Sequence, residues 1–503
     1  MTTDTLRDSA AAETIVRRFL DRCRRPLLLE AGESALELRP GSYRLEMRSG
    51  RLMLEAWDQT HHLVRRIRGI HRQGPGRLEL VIERFGKREG RLFLADGERG
   101  EAGAIERRGR RLMLRERLRR ALERQWPGWK IAELSAEANL EDSLSPVYPR
   151  ALLKRGAEAW AAIISPPDAD AASAAMSFGL LWLDYVRRRE KRLSVHGLLL
   201  LLPDGMEAPT CWRLGWLDPA AGRFLVYVYS DQSDEGVVDP GDYANLDTSL
   251  EDHRMPLGKV APELEQWVRQ LGRQPAVEIV DERGGELSLR VRGLEFARLS
   301  QSGLWFGLQE RRCAESGHLE EIQRLAHELA RLRDPRAPDQ GNPIYRLHPE
   351  RWLESQVRAQ LERIDPTLLP EPIYGQVPAV AGGERGVIDL LAVDSSGRLA
   401  VLELKTTEDI HLPLQALDYW MRVRWHLERG EFTERGYFPA IALRQEPPRL
   451  LLIAPALAFH PTTETILRYF RPEVQVERIG LGVEWRRELR IVFRARGAAR
   501  PEG

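Results

Sequence analysis

Three ionisable residues interrupt two otherwise apolar segments in the C-terminal third of the sequence. Asp389 lies in RGVIDLLAVD, and Glu403 and Lys405 lie in LAVLELKTTE, with the turn SSGR between the two segments. Buried charge is costly unless it is paired or coordinated, so this pattern indicates a site. In a hairpin, Glu403 and Lys405 project from one face of their strand, and Asp389 can meet them from the neighbouring strand. Two converging carboxylates form the hard, oxygen-rich site that suits Mg²⁺ or Mn²⁺.

A lysine beside two such carboxylates adds a second chemical capacity. The Lys405 ammonium can hold a water molecule or stabilise charge that develops on a phosphate. The set therefore points to phosphodiester hydrolysis. The alternative is a buried structural Asp–Lys–Glu network without catalytic function.

The surrounding sequence predicts the elements that position these residues. A breaker-rich linker, DPRAPDQGNP at 334–343, precedes the helix PERWLESQVRAQLERI, where Pro349 suits the first turn and Glu354 lies beside the apolar stripe. The strand IYGQVPAV, the hairpin and the helix HLPLQALDYWMRVRWHL follow in that order. The second hairpin strand is apolar almost throughout, which is typical of a strand buried on both faces.

The hairpin resembles the D…ExK core of the PD-(D/E)xK nuclease superfamily. Ile388 precedes Asp389, and Glu403, Leu404 and Lys405 form the ExK run. Ile388 stands where the motif name has proline. The resemblance covers about a third of the chain and implies a restriction-endonuclease-like α/β domain with a mixed central sheet flanked by helices.

The resemblance also implies roles for individual residues. Asp389 would be the central metal ligand, Glu403 the second, and the Leu404 backbone carbonyl the third, while Lys405 would position the attacking water. Glu354 matches a glutamate that the family often has on the preceding helix, and would support a metal or its water shell. Gln415, on the helix after the ExK strand, would orient Lys405 or a phosphate.

The remainder of the chain predicts α+β structure rich in antiparallel hairpins. We expect a β-rich domain with an arginine-rich helix at 1–140, an α+β region at 141–335 and the nuclease domain at 344–503. The segments CWRLGWLD and RFLVYVYSD predict two aromatic-rich strands. The arginine-rich helix has two interpretations: a solvated helix with Glu–Arg pairs, or a phosphate-contacting helix that uses Arg115, Arg119 and Arg120.

The region at 141–335 contains a partial match to the nuclease core. An apolar strand, a loop, a helix with Leu-Asp-Tyr and a second apolar strand follow one another in both segments. The ExK positions are apolar in the first segment, and Leu181 stands at the position of the glutamine. A degenerate, catalytically silent copy and a chance similarity of two amphipathic helices both remain open.

Composition and cysteine content indicate the class of protein and its cellular compartment. The 503 residues are 43% hydrophobic and 30% charged with a net charge of +1, so charge alone neither favours nor excludes nucleic acid. Three separated cysteines and no signal-peptide or membrane-length apolar segment predict a cytoplasmic protein without a membrane partner.

The sequence as a whole predicts a Mg²⁺- or Mn²⁺-dependent nuclease of DNA, acting in repair, restriction or defence. A DNA-binding or scaffold protein that retains the fold without activity, and an RNase, are the alternatives. A homodimer or a protein partner at the N-terminal or middle region is left open.

Overall fold

The chain divides into two units with separate sets of internal contacts. The computed structural model describes residues 9–499 apart from 24–25, 31–35, 39–41, 49, 58–61, 75, 85–87, 97–99, 231–234, 254–259, 283–284 and 382–383. One unit comprises Met1–Pro203 and Tyr229–Glu235, and the other comprises Asp204–Val228 and Gly236–Gly503. Within the described ranges, we find no helix with the length and apolar character needed to cross a membrane.

The first unit contains an antiparallel sheet and a second sheet with one parallel pair. Its helices are α1 (Ser9–Arg22), α2 (Gly100–Gln125) and α3 (Ala169–Arg189). Its strands are β1 (Pro26–Glu30), β2 (Leu36–Glu37), β3 (Tyr43–Arg48), β4 (Arg51–Trp57), β5 (His62–Gly74), β6 (Arg77–Arg84), β7 (Arg88–Asp96), β8 (Lys130–Ser135), β9 (Arg150–Arg155), β10 (Glu158–Ile164) and β11 (Ser194–Pro203). The seven-stranded antiparallel sheet has the order β2-β1-β7-β6-β5-β4-β3. Its core includes the apolar face of α1, where Ala12 and Val16 are buried.

The second unit contains the other helices and strands. Its helices are α4 (Ala208–Leu214), α5 (Pro262–Leu271), α6 (Leu319–Leu332), α7 (Pro343–Arg346), α8 (Pro349–Ala359), α9 (Leu361–Ile364), α10 (Leu412–Glu428), α11 (Glu431–Glu434) and α12 (Thr463–Leu467). Its strands are β12 (Arg223–Tyr229, the last residue belonging to the first unit), β13 (Gly236–Val238), β14 (Thr248–Ser249), β15 (Val277–Asp281), β16 (Leu287–Val291), β17 (Leu294–Ser300), β18 (Gly303–Phe306), β19 (Arg312–Cys313), β20 (Tyr374–Ala381), β21 (Glu384–Val393), β22 (Leu399–Leu404), β23 (Arg449–Pro455), β24 (Val476–Leu481) and β25 (Ile491–Arg496).

The C-terminal sheet is mixed, and helices pack on it. Its order is β14-β20-β21-β22-β23-β24-β25; β22, β23 and β24 are mutually parallel and the other neighbours are antiparallel. Leu402 and Leu404 face a core that contains Trp352 and Leu353 of α8. Helix α10 packs on β21, β22 and β23. The predicted α/β class with hairpin-rich flanking regions is confirmed at this level.

A five-stranded antiparallel sheet, β15 to β19, lies in the same unit. Its core includes Leu289 and Phe296 together with Val268 of α5 and Ala326 of α6. The chain enters the C-terminal sheet from this module through α7 and α8, so the predicted linker at 334–343 leads directly into the predicted helix.

One predicted strand is wrong. CWRLGWLD contributes to α4, which begins with Pro209 in its first turn. The Arg213 guanidinium binds both carboxylate oxygens of Asp418 on α10, at 2.8 and 2.6 Å, and Trp216 packs edge-on against Trp420 at 4.7 Å. A short apolar run fits both periodicities, and these contacts to α10 favour the helix.

Candidate active site

The candidate site lies where β21 and β22 pair at the end of the hairpin. Leu390 is opposite Leu402 and Leu391 is opposite Val401, so continuing this antiparallel ladder by one residue places Asp389 opposite Glu403. Directly opposed residues share one face of a sheet. Since Leu402 and Leu404 face the α8 core, alternation places Glu403 and Lys405 on the other face. The structure therefore brings Asp389, Glu403 and Lys405 together, as the sequence predicts.

Asp389 is fixed by the backbone of the neighbouring strand. Its Oδ2 accepts a hydrogen bond of 2.8 Å from the N–H of Leu404. The pKa of Asp389 is raised to about 6. Burial and, to a smaller extent, the charge of Glu354 raise it, whereas the Leu404 hydrogen bond and Lys405 act in the opposite direction. Burial disfavours the ionised form of this carboxylate, and a bound cation would stabilise that form.

Glu403 is the most deeply buried carboxylate of the site. Its exposed fraction is 1%, and its Oε2 atom has no hydrogen-bond partner in the structure. Burial raises its pKa well above the ordinary value, and the charge of Asp389 adds to the increase. A buried oxygen without a donor is unfavourable in the protein alone. The donor set of this site, two carboxylates with one free oxygen, fits a divalent cation.

Lys405 lies between two carboxylates. Its Nζ is 3.5 Å from Oε1 of Glu403 and 3.6 Å from Oδ2 of Asp409. The other oxygen of Asp409 accepts a 2.8 Å hydrogen bond from the N–H of His411, immediately before α10. The sequence reasoning missed Asp409, although its position four residues after Lys405 and directly before the helix was an available signal.

Gln415 lies in the first turn of α10, where its Nε2 donates to the hydroxyl of Tyr419 at 3.0 Å. This hydrogen bond links two positions of the same helix face, since the residues are four apart. The role of Gln415 toward Lys405 or a phosphate stays a prediction.

Glu354 lies in an arginine cluster on the α8 side of the sheet. Its Oε2 is 3.3 Å from Arg351, and its Oε1 is 3.3 Å from Arg358 and 3.7 Å from Arg290. Its exposed fraction is 2%. Its charge is close enough to raise the pKa of Asp389, but both of its oxygens face guanidinium groups. Its proposed support of the metal stays a prediction, and its contacts indicate a structural role as well.

The arginines singled out on α2 differ in their surroundings. The Arg119 guanidinium binds Glu116 and Glu123, each at 2.6 Å, and Arg120 is 3.9 Å from Glu116. Arg115 is exposed. Intrahelical pairs of this kind are those expected of a solvated helix. Phosphate contact by the three residues stays a prediction.

In the described part of the chain, no group of three or more histidine, cysteine, aspartate or glutamate side chains is arranged to hold a metal ion. Asp389 and Glu403 are the two opposed carboxylates, so a third protein ligand would have to come from the backbone, as the resemblance implies for Leu404. An extended residue directs its N–H and C=O toward the same neighbouring strand. The Leu404 carbonyl thus points toward the Asp389 side of β22.

Comparisons with known proteins add little. No family model matches the chain. No curated protein matches it either. Protein VC1899 from Vibrio cholerae, a solved crystal structure, shares 14% sequence identity over 57% of this chain and 72% of that chain, with a TM-score of 0.13. A likeness at that level carries no argument about fold or function.

Proposed function

We propose that the second unit is a metal-dependent nuclease that hydrolyses phosphodiester bonds, with DNA as its substrate. The observation that carries the proposal is Glu403, whose buried Oε2 has no hydrogen-bond partner beside the carboxylate of Asp389. Most buried side-chain oxygens have a hydrogen-bond partner, so a purely structural network is expected to supply one for Oε2. A site for Mg²⁺ or Mn²⁺ leaves an oxygen for the cation.

Asp389, Glu403 and the Leu404 carbonyl would hold the metal. A bound Mg²⁺ or Mn²⁺ supplies Lewis acidity toward the phosphate and lowers the pKa of a coordinated water. The chain's own contribution is position and charge. Lys405 would hold the attacking water in line with the scissile phosphorus and donate to a non-bridging oxygen as negative charge grows there. The leaving ester oxygen takes up a proton as the P–O bond breaks, and one water is consumed for each bond cut.

The proposal is tested by incubating the full chain with single- and double-stranded DNA and RNA in Mg²⁺, Mn²⁺ or EDTA. We expect cleavage of DNA with either metal and none in EDTA. Glu403→Gln, which removes the charge and keeps the side-chain size, is the matched control and should be inactive. Cleavage that survives Glu403→Gln would come from a contaminant, and cleavage of RNA alone would assign the protein to the RNases.

A non-catalytic DNA-binding or scaffold protein remains the second candidate. In that case the nucleic acid is bound but not cut under any metal, and Glu403→Gln leaves binding unchanged. The presence of both carboxylates and the lysine at one site argues for the nuclease, because a buried charge such as that of Glu403 is costly unless it has a function.

A further inference from the structure

The first unit repeats the strand connections of the candidate nuclease sheet. In the first unit, β8, β9 and β10 pair antiparallel in succession, α3 follows β10, and β11 lies parallel to β10. In the second unit, β20, β21 and β22 pair antiparallel in succession, α10 follows β22, and β23 lies parallel to β22. Helix α2 precedes β8, as α8 precedes β20. Apart from the four-residue helices α9 and α11 of the second unit, the two segments share one order of elements and one set of strand directions.

Hydrogen bonding aligns the two segments residue by residue. After β10, the N–H of Ser165 donates to the carbonyl of Leu201 on β11 at 3.0 Å. After β22, the N–H of Lys405 donates to the carbonyl of Ile453 on β23, also at 3.0 Å. Ser165 therefore occupies the position of Lys405.

The antiparallel ladder extends the alignment to the carboxylates. Ile163 is beside Leu200 and opposite Arg150, and Glu403 is beside Leu452 and, on the continued ladder, opposite Asp389. Ile163 thus corresponds to Glu403, and Arg150 corresponds to Asp389. The Leu-Asp-Tyr sequences lie in the last third of α3 (183–185) and in the first half of α10 (417–419), so the alignment rests on the strands. Chance similarity of two helices does not account for a shared register in three strands.

We infer that the first unit contains a second copy of the core in which the Arg150 guanidinium replaces the metal site, so that the two copies together carry a single cleavage centre. That the centre cleaves nucleic acid rests on the proposed function. The structural equivalence of the two copies does not depend on it. Arg150 is 6% exposed, and its Nη2 donates to the carbonyl of Glu137 at 2.8 Å. Its Cζ lies 5.4 Å from the ring centroid of Trp182 on α3. A fixed guanidinium repels a divalent cation, and the buried Ile163 and Ser165 supply neither a carboxylate nor an ammonium group.

The equivalence is tested by restoring the metal site in the full chain. Glu403→Gln removes the second-unit site, and Mn²⁺ alone is titrated by calorimetry and by electron paramagnetic resonance. We expect Glu403→Gln to lower Mn²⁺ affinity at least tenfold. Adding Arg150→Asp, Ile163→Glu and Ser165→Lys to that variant should restore a bound Mn²⁺ signal. A folded variant, checked by circular dichroism, that gains no Mn²⁺ site would overturn the equivalence. A Glu403→Gln chain that keeps a wild-type Mn²⁺ site would instead overturn the proposed metal site of the second unit.

A double-mutant cycle decides the matter if the restored variant does not fold. Ile163→Glu introduces a carboxylate opposite Arg150. The resulting loss in melting temperature should be several degrees smaller in the wild-type background than in an Arg150→Met background. Ile164→Glu, one residue further and on the other face, is the matched control and should show no dependence on residue 150. Equal losses for Ile163→Glu in both backgrounds would contradict the alignment. Failure of the proposed function would be recognised by a different result, which is the absence of cleavage by the unmodified chain.

Discussion

Asp389 and Leu404 are joined across the hairpin by a side chain-to-backbone hydrogen bond, in which the Leu404 N–H donates to Oδ2 of Asp389 at 2.8 Å. This side-chain hydrogen bond lies just beyond the backbone ladder of β21 and β22. It fixes the orientation of the Asp389 carboxylate. The second oxygen stays available to a ligand. Because the Leu404 carbonyl points to the same side as its N–H, one residue both orients Asp389 and can contribute an oxygen. The site is therefore built on strands, which hold ligands more rigidly than loops do.

The first prediction concerns the stability of the metal-free protein as a function of pH. The pKa of Asp389 is raised from 3.8 to about 6 in the folded chain. The folded state thus binds more protons than the unfolded state between these values, so this residue's contribution to stability is full below pH 3.8 and is lost as pH rises through 6. We expect Asp389→Asn to flatten the fall in melting temperature between pH 4 and pH 6.5. Glu278 and Glu282 also have raised pKa values, so the wild type-minus-variant difference is the quantity to measure.

Added metal should reverse this loss. Mg²⁺ or Mn²⁺ binds ionised carboxylates, so the metal-induced rise in melting temperature should be larger at pH 7.5 than at pH 5. Asp389→Asn should abolish most of the rise. A metal-induced rise that is equal at both pH values, or that survives Asp389→Asn, would place the metal elsewhere.

The second prediction separates structural from catalytic roles of Glu354. Three arginines surround its carboxylate, so Glu354→Gln should destabilise the fold by about 3 kcal/mol, as removing one partner of a buried ion pair does. Because both oxygens already face guanidinium groups, Mn²⁺ affinity should change less than threefold. Chemical denaturation and calorimetry measure the two effects, with the exposed Glu362→Gln as control. A loss of Mn²⁺ affinity comparable to that of Asp389→Asn would instead make Glu354 a ligand.

The sequence predicted the elements that carry the candidate site better than it predicted the rest of the chain. Asp389, Glu403 and Lys405 are recognisable because charge inside an apolar hairpin is costly, and that cost is visible in the sequence without any contact information. The helix from Pro349 and the strands on either side of the turn SSGR follow from strong local periodicity. The structure confirms all of these elements.

Other features depend on contacts that sequence periodicity does not encode. The sequence predicts a strand for part of the α4 segment, and the contact of Arg213 with Asp418 of α10 favours the helix that is observed. The sequence predicts Glu354 as a site residue, but it does not predict that Arg290 of the five-stranded sheet lies beside its carboxylate. Lys405 has Asp409 as a second partner beside Glu403, and the turn that precedes α10 brings Asp409 rather than the adjacent Glu408 to it. Long-range partners of charged residues are therefore the part that the structure adds.

The third prediction tests whether the α2 helix contacts nucleic acid. Each phosphate contact on duplex DNA contributes a slope of about −0.9 to log affinity against log salt. Arg119 is already paired with Glu116 and Glu123, so Arg119→Ala should leave the slope unchanged. Arg115 is exposed, and Arg115→Ala flattens the slope by about 0.9 if the helix lies on the phosphates. Binding of fluorescent duplex at several salt concentrations measures both, and an unchanged slope for both variants assigns the helix to solvent.

The fourth prediction concerns Asp409 as a positioning residue for Lys405. Asp409→Asn removes the carboxylate that lies 3.6 Å from Nζ, while its amide oxygen can still accept from the His411 N–H. We expect kcat to fall about tenfold, the equivalent of about 1.4 kcal/mol, with KM unchanged. Asp409→Glu, which keeps the charge, should recover part of the rate. Equal rates for the two variants would show that the Asp409 charge does not act through Lys405.

The last prediction concerns Lys405 itself. Lys405→Ala should reduce cleavage by about 10²–10³-fold, the loss typical of one preorganised group that stabilises transition-state charge. DNA binding and Mn²⁺ binding should persist, because Asp389 and Glu403 hold the metal and Lys405 acts on the water and the phosphate. The metal-free protein should lose some stability, because Nζ is the cation 3.5 Å from the buried Glu403, and added Mg²⁺ should recover much of it by supplying positive charge at the same place. Lys191→Ala, at an exposed position, is the matched control and should cleave normally. If Lys405→Ala cleaves at the wild-type rate while Glu403→Gln does not, the lysine only balances charge, and the water must be positioned by another group.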